Sequence, residues 1–600
     1  MSSSSTIRAS SPRRNVLERL SNLRLPPPAI VLGLLLICVF LLRLPSALVP
    51  RELNVDESQQ LSYAMKFLVY PQPWKAVDGG TLTPLNSYLA SILLRMGFKP
   101  GFILVHMLAS VLVCLQVLVA YLTLRRLGSE KTAAFGAFLM VLLYGLATKT
   151  DYLHYSTELL PTLLLMLGFY IFLAWLDQPA GGPGLRQLYL LFLGGLALGA
   201  APWCKVQAVP ISGALGLAVL TAIFRASTPS SSPSQRVMEV LAFCGGALLT
   251  TCIMLALWAE YWTLKDFWYT NVLANLAYAG KLSLMTSMVN FFLIFLISPL
   301  HQLLLVGVAL LIYVSGSDEI PALSKKQKWV LGGVLVYAGA ALFAISRVSY
   351  LFPHHAIFLV PPMIYLVAGL AVPHATVPTQ NSQSSRNLRN GILLVLVSLI
   401  MAVYAAYAVR YVQMTQSIRR LSNIPLDATS KIAREPVPPN TNSQTGLEKF
   451  LEVCIGPRHW ALPDSNERIL AVVRQRQRTQ PVRSLGIWGW APGVYVLTGI
   501  PPATRDSITQ HAITKGPLQQ YYRARFLGDL RAQPPDLFID AVTRDAFMWR
   551  DWTENDGYES DPELRKFIDD NYVLIDQLTL VKGAKPVRFF ARREPASQPQ

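Results

Sequence analysis

The sequence predicts a polytopic α-helical membrane protein with a soluble C-terminal α/β domain. Of its 600 residues, 52% are hydrophobic and 15% are charged, and the mean hydropathy is +0.37. A soluble chain of this size is less apolar. Long apolar segments recur up to about residue 410, after which the composition becomes that of a soluble protein. We therefore expect a membrane domain over residues 29–410 and a separate domain over 411–600.

The distribution of charge identifies the lipid bilayer, rather than nucleic acid, as the partner. The formal net charge is +18, but Lys and Arg cluster in short loops between apolar segments, which is the positive-inside pattern. We expect no nucleic-acid partner. Of the six cysteines, Cys454 alone lies in the long C-terminal segment, so no internal disulfide holds that domain together.

The apolar segments predict eleven transmembrane helices, with the N-terminus inside. Residues 1–28 are rich in Ser, Arg and Pro, and we interpret them as a disordered cytoplasmic tail. Alternation of sides then places the loops 49–100, 148–158, 259–288 and 346–355 outside, together with the C-terminal domain. The predicted spans are Ala29–Leu48, Gly101–Leu124, Thr132–Thr148, Leu159–Trp175, Leu188–Trp203, a segment ending before Arg225, Val237–Trp258, Val289–Val314, Trp329–Ile345, Ala356–Val372 and Gly391–Val409.

The first outer segment, Asn54–Leu89, carries the adjacent carboxylates Asp56 and Glu57. Apolar residues follow at helical spacing on one face, which predicts a helix lying along the bilayer surface. Two carboxylates at the mouth of a membrane domain are costly to desolvate and therefore indicate a site. Capping of the helix N-terminus by the same two acids remains an alternative.

The other outer loops add further ionisable residues on the same side of the membrane. Carboxylates among Lys, Arg and His would suit an anionic, phosphate-bearing lipid substrate, with a carboxylate as general base. Lys205 could instead snorkel from a helix end. The two adjacent histidines could bond to backbone or ligate a metal, although no HxxxH or HExxH spacing supports a metal. The set comprises Asp78, Lys149, Asp151, His154, Glu158, Lys205, Lys265, Asp266, Arg347, His354 and His355.

The C-terminal segment predicts a small α/β domain, because short strand-like runs alternate with helical ones. It contains no Gly-rich phosphate loop, CxxC pair or GxSxG elbow. The runs with strand character lie within Val482–Leu497, Leu527–Val542, Tyr572–Leu580 and Pro586–Ala591.

Four pieces of the sequence together resemble the GT-C glycosyltransferases, in particular the protein O-mannosyltransferases and the lipid A aminoarabinose transferases. The resemblance covers residues 29–410 and, loosely, the tail. The pieces are NVDESQQLSYA at Asn54–Ala64, GGTLTPLNSYL at Gly79–Leu89, DYLHYSTELLP at Asp151–Pro161 and RVSYLFPHHAIFLVPP at Arg347–Pro362.

This resemblance implies transfer of a sugar, with inversion, from a polyprenyl-phosphate donor to a protein, lipid or glycan acceptor outside the cytoplasm. It implies a multi-pass protein of the plasma (inner) membrane that requires no cofactor, and the absence of a WWD-type motif leaves a divalent metal as the less favoured alternative. Asp56 would be the base and Glu57 its structural partner, while Asp151 or Glu158 would be the second acidic residue. Lys205, Arg347, His354 and His355 would hold the donor phosphate, and Tyr63, Tyr155 and Lys149 would position substrates. His355 stands where the family commonly has tyrosine.

Two other classes of function stay open. A transporter or flippase of a lipid-linked or anionic solute would predict ionisable residues near mid-span and internal repeats. A non-catalytic envelope scaffold would leave the one-sided set of acids and bases unexplained.

Overall fold

The computed structural model describes residues 26–78, 83–178, 184–226, 233–261, 263–279, 283–314, 325–347, 351–370, 383–422, 452–455, 465–544, 546 and 551–593. Most of the predicted N-terminal tail and the glycines Gly79 and Gly80 lie outside these ranges. Within them the chain is mainly helical, with a small C-terminal sheet.

Every predicted span overlaps a helix in this part of the chain. The helices are α1 Pro28–Ala47, α2 Val55–Val69, α3 Pro84–Arg95, α4 Phe102–Leu127, α5 Glu130–Gly145, α6 Leu159–Leu176, α7 Leu185–Ala200, α8 Ala208–Ala226, α9 Pro233–Tyr261, α10 Leu284–Ile297, α11 Leu300–Val314, α12 Lys325–Ser346, α13 Val360–Leu370 and α14 Gln383–Ser422. Of those described, nine are long and apolar enough to cross a membrane, counting α7 with the 3₁₀ turn after it and α13 with the 3₁₀ turn before it; the bent pair α10–α11 makes a tenth. Helix α5 is apolar but has only 16 residues.

The eighth predicted span is broken rather than continuous. Helices α10 and α11 meet at 90° around Ser298 and Pro299. Proline has no backbone N–H and disfavours helical geometry in the residue before it, so a helix ends there.

Glycine allows two of the membrane helices to pack backbone against backbone. A Cβ on Gly199 of α7 would lie 2.0 Å from the Ala247 carbonyl oxygen of α9, and one on Gly246 would lie 2.0 Å from that of Phe192. Only a residue without a side chain fits such an approach.

The amphipathic pattern of α2 predicts a helix along the lipid surface, but in the structure this helix is enclosed by protein. Its residues from Glu57 to Phe67 are buried, and the Lys66 ammonium donates to the Pro502 carbonyl at 2.6 Å. The helix therefore lies between the membrane helices and the C-terminal domain, where its polar residues bond to protein instead of water.

The C-terminal domain contains a four-stranded mixed sheet in the order β1-β2-β4-β3. Strands β1 and β2 are parallel, and β4 is antiparallel to both of its neighbours. The strands are β1 Leu485–Trp488, β2 Leu537–Asp540, β3 Tyr572–Leu578 and β4 Val587–Arg592, and the longer helices are α15 Ser465–Gln477, α16 Gly493–Thr498, α17 Gln519–Ala532 and α18 Pro562–Asn571. Each of the predicted strand runs thus overlaps one of the strands.

Candidate active site

Ionisable side chains from four separate segments meet at one end of the membrane helices. Asp56 begins α2, and Lys205 follows the 3₁₀ turn Ala201–Trp203. Asp151 and Glu158 flank the connection between α5 and α6, while two adjacent histidines lie in the 3₁₀ segment Pro353–Leu359. All these positions follow or precede membrane helices at the same end, as alternation of the spans predicts. The sequence-predicted residues that converge here are Asp56, Asp151, Glu158, Lys205, His354 and His355.

His354 lies between two carboxylates. Its Nδ1 is 2.8 Å from Asp151 Oδ1, and its Nε2 is 3.6 Å from Asp56 Oδ2. Burial by itself raises the pKa of the Asp151 carboxyl, but the hydrogen bond and charge of His354 outweigh it, so the pKa lies below its ordinary value. Asp151 is therefore an anion that orients the imidazole toward Asp56.

Glu158 is a buried anion neutralised by Lys205. The Lys205 ammonium is 3.1 Å from Glu158 Oε1 and donates to Thr157 Oγ1 at 2.6 Å. The hydroxyls of Ser156 and Thr157 donate to Glu158 Oε2. Burial raises the pKa of Glu158, yet the neighbouring Lys205 charge and the Ser156 hydrogen bond hold it well below its usual range. Because it is fully buried and already neutralised by Lys205, Glu158 is poorly placed to accept a substrate proton.

Asp56 is the open carboxylate of the cluster. Its side chain is 21% exposed, whereas that of Glu158 is fully buried. Its backbone N–H donates to the Asn54 side chain. Asn54 and Glu57 together form a capping box at the start of α2, so the capping alternative holds for Glu57 and not for Asp56. Within the described ranges, no group donates a hydrogen bond to the Asp56 carboxylate. Its oxygens are therefore available to a bound hydroxyl.

Glu57 points away from this cluster and holds the backbone around it. Its carboxylate accepts from the Leu53 N–H at 2.6 Å and from the Tyr155 N–H at 3.2 Å, and it lies 3.0 Å from His106 Nε2. His106 Nδ1 faces the Val49 carbonyl at 3.1 Å. The Val49 carbonyl can only accept, so Nδ1 donates to it, while Nε2 faces the Glu57 carboxylate. Burial raises the pKa of Glu57, but the charge and hydrogen bond of His106 outweigh it and leave the pKa below normal.

Two buried ionisable residues were missed from the sequence, His106 in α4 and Arg43 in α1. Arg43 is fully buried and donates to the Tyr152 carbonyl at 2.8 Å and the Leu153 carbonyl at 2.9 Å. It therefore anchors the turn that carries Asp151. The available signal was an ionisable residue inside an apolar span, which is rare and usually functional.

Four other predicted residues make contacts outside the cluster. Tyr155 donates its hydroxyl to the Asn86 carbonyl, and Tyr63 accepts from Gln59. Lys149 donates to the carbonyls of Ile297 and Val453. Arg347 is exposed at the end of α12 and donates to Ser287 Oγ at 3.4 Å. Their roles toward a substrate stay predictions.

One part of the cluster has the ligand chemistry of a metal site. Potential ligand atoms of Asp56, His154 and His354 lie within 4.8 Å of one another, as do those of Glu158, His354 and His355. Carboxylate oxygen and imidazole nitrogen suit zinc or manganese. The first group fits a divalent cation, because His354 Nε2 faces Asp56 while Nδ1 is held by Asp151. The second does not, because the Lys205 ammonium already contacts Glu158.

This architecture is the GT-C fold. The chain is similar to ArnT from Cupriavidus metallidurans bound to undecaprenyl phosphate, with a TM-score of 0.53 and 11% identity over 95% of this chain and 99% of that one. At this identity the likeness shows the fold alone. It confirms the resemblance found in the sequence at the level of fold.

Weaker likenesses carry no further argument. The oligosaccharyltransferase AglB from Archaeoglobus fulgidus, in complex with an inhibitory peptide and a dolichol-phosphate, gives a TM-score of 0.42 at 11% identity over 85% of this chain and 69% of that one. The S. cerevisiae protein O-mannosyltransferase Pmt1-Pmt2 complex gives 0.34 at 15% identity over 42% and 36%. No protein-family model matches the sequence, and comparison with curated proteins gives no match.

Proposed function

We propose that this protein is a membrane glycosyltransferase that moves a sugar from a polyprenyl-phosphate donor to an acceptor hydroxyl, with Asp56 as general base. The observation that carries the proposal is the contrast among the four carboxylates. Asp151, Glu158 and Glu57 each lie within 3.1 Å of a histidine or lysine nitrogen. Asp56 is 21% exposed and lies 3.6 Å from His354 Nε2, and within the described residues its carboxylate accepts no hydrogen bond. The ArnT structure, bound to undecaprenyl phosphate, supports the class of donor.

The reaction would be a single displacement with inversion at the anomeric carbon. The acceptor hydroxyl transfers its proton to Asp56 while its oxygen bonds to that carbon. The bond from the carbon to the phosphate oxygen breaks, and the electron pair leaves with the polyprenyl phosphate. Because this leaving group is already a stabilised anion, catalysis requires mainly orientation, charge neutralisation and a base.

We assign the phosphate to the cationic side of the cluster. The Lys205 ammonium lies 3.1 Å from Glu158 Oε1, His355 Nε2 lies 4.0 Å from the same oxygen, and the ring of His354 is 4.9 Å from that of His355. Arg347 would join them only by leaving Ser287. Asp151 keeps His354 oriented between the phosphate and Asp56.

We place the active site and the C-terminal domain on the periplasmic or extracellular side of the plasma membrane. The support is the distribution of basic residues, since Arg125, Arg126, Lys131 and Arg186 lie at the opposite helix ends. A divalent cation bound by Asp56, His154 and His354 would supply Lewis-acid stabilisation of a developing oxyanion. The base mechanism proposed for Asp56 requires no such ion.

The test is turnover of synthetic polyprenyl-phosphate sugars by the purified protein with candidate protein, lipid and glycan acceptors. Wild type is compared with Asp56→Asn, with and without EDTA. Glu130→Gln is the matched control, since Glu130 is a carboxylate at the opposite end of the helices, paired with Arg125. We expect loss of at least about a hundredfold in kcat for Asp56→Asn, normal turnover for Glu130→Gln and survival of turnover in EDTA.

Three outcomes would count against this assignment. Full activity of Asp56→Asn would remove the base. Loss of activity in EDTA would move Asp56 into a metal site. Absence of turnover with every donor and acceptor would favour a transporter or a scaffold. Arg43 and His106 are ionisable residues inside membrane helices, but they do not support a transporter. Arg43 bonds to backbone carbonyls and His106 pairs with Glu57.

A further inference from the structure

The C-terminal domain contacts the chain on both sides of α2, the helix that begins with Asp56. Before the helix, Arg51 Nε lies 3.2 Å from Glu467 Oε1, and the Asn466 side chain donates to Glu52 Oε2 at 2.6 Å. Both partners belong to α15. The contact is therefore made five residues before Asp56.

A second set of contacts holds the other end of α2 and the turn after it. The Lys66 ammonium donates to the carbonyls of Pro502 and Ala503 at 2.6 and 3.1 Å. Further on, Arg525 Nη2 lies 2.5 Å from Asp78 Oδ2, and the Asp78 N–H donates to the Arg505 carbonyl at 2.9 Å. The helix is thus fastened to the C-terminal domain before its first residue and after its last.

The charged side chains that make these contacts are almost completely buried. The side chains of Arg51 and Glu467 are 7% and 3% exposed, and those of Asp78 and Arg525 are 1% and 5% exposed. Buried ion pairs carry a desolvation cost and contribute little net stability, but their geometry is specific. The backbone itself is in contact here, since a Cβ on Gly493 of α16 would lie 2.3 Å from Glu52 Oε2.

We propose that the C-terminal domain is a clamp that positions the catalytic base, with Arg51, Glu467, Asp78 and Arg525 as its positioning residues. This inference rests on the proposed function. Within the described chain, no group donates a hydrogen bond to the Asp56 carboxylate. The distance between Asp56 and His354 therefore depends on the position of α2. A misplacement of about 1 Å can cost a hundredfold in rate. The clamp sets this distance through both ends of the helix.

The test is a charge exchange between Arg51 and Glu467. We expect Arg51→Glu and Glu467→Arg each to lower kcat at least about tenfold, with the donor KM unchanged within about twofold. The double variant Arg51→Glu/Glu467→Arg should recover most of the loss. Should the reversed charges prevent folding, Arg51→Gln and Glu467→Gln serve in the same comparison. The control is Glu559→Gln, which removes a carboxylate paired with Arg588 and Lys585 inside the C-terminal domain.

Hydrogen exchange of the α2 amides gives a second readout that does not depend on activity. A clamp predicts faster exchange over residues 55–69 in each single variant and recovery in the double variant. It predicts no change there in Glu559→Gln, even if that variant unfolds at a lower temperature. Unchanged hydrogen exchange in the single variants would refute the clamp. So would losses of kcat that correlate with the decrease in unfolding temperature across all variants, the control included. A wild type without turnover would refute the proposed function, while exchange would still decide the clamp.

Discussion

Glu57→Gln is expected to destabilise the protein by about 3 kcal/mol, the lower end of the loss found when a buried ion pair is broken. The carboxylate accepts two buried backbone N–H groups and pairs with the His106 side chain. The glutamine amide replaces one acceptor oxygen with an NH₂ donor. A buried N–H that bonded to this oxygen then faces another donor, which by itself costs about 1–3 kcal/mol.

The loss of stability should arise from the interaction between Glu57 and His106 rather than from Glu57 alone. His106→Gln removes the imidazole and leaves a buried carboxylate without its side-chain partner. The double variant Glu57→Gln/His106→Gln contains neither partner, so its loss should be smaller than the sum of the two single losses by at least about 1 kcal/mol. Glu130→Gln breaks an exposed pair with Arg125 and should cost about 1 kcal/mol or less.

The assay is reversible denaturant unfolding in mixed micelles at pH 7, with the helical signal as probe. Two results would refute the reasoning. One is a loss for Glu57→Gln no larger than that for Glu130→Gln. The other is a coupling free energy below about 0.5 kcal/mol between Glu57 and His106, the limit at which independent sites are additive.

Two further predictions concern other charged groups. Burial and the neighbouring Asp78 raise the pKa of Asp506 to about 7 despite Arg525, so the folded state keeps a proton that the unfolded state releases near pH 4. The free energy of unfolding should therefore fall by up to about 4 kcal/mol as the pH rises from 4 to 8. Asp506→Asn should flatten the dependence of the unfolding temperature on pH. An equally steep dependence in the variant would contradict this. Lys205→Met leaves Glu158 buried without a cation, so it should lower the unfolding temperature and raise the donor KM at least about tenfold. Adding Glu158→Gln should restore stability but not donor binding. Recovery of donor binding as well, measured by donor titration, would show that Lys205 does not bind the phosphate.

The membrane helices could be predicted because a span of about twenty apolar residues has few soluble alternatives. Even the break in the eighth span had a local signal, Ser298-Pro299. The position of α2 could not be predicted in the same way. Its pattern of Leu61, Met65 and Leu68 fits either a bilayer surface or a groove between two protein domains, and only the contacts of Lys66 with Pro502 and Ala503 distinguish them.

The candidate site was predictable as a set and not in its internal arrangement. Alternation of sides placed Asp56, Asp151, Lys205 and His354 at one end of the helices, and the folded chain brings them together. Asp56 and Glu57 are a different matter, because successive residues of a helix point about 100° apart. Apart from the family resemblance, which assigned the base to Asp56, nothing in the sequence said which of the two acids would face the site and which the interior.

The residues that hold the site lie outside the loops where its chemistry is concentrated. Arg43 of α1 fixes the turn with Asp151 from within the membrane domain, and His106 of α4 fixes Glu57. Arg525 and Glu467 act on the segments around α2 from the opposite direction. An ionisable residue in an apolar span is costly unless it has a partner, so Arg43 and His106 implied polar partners at their depth before any partner was known.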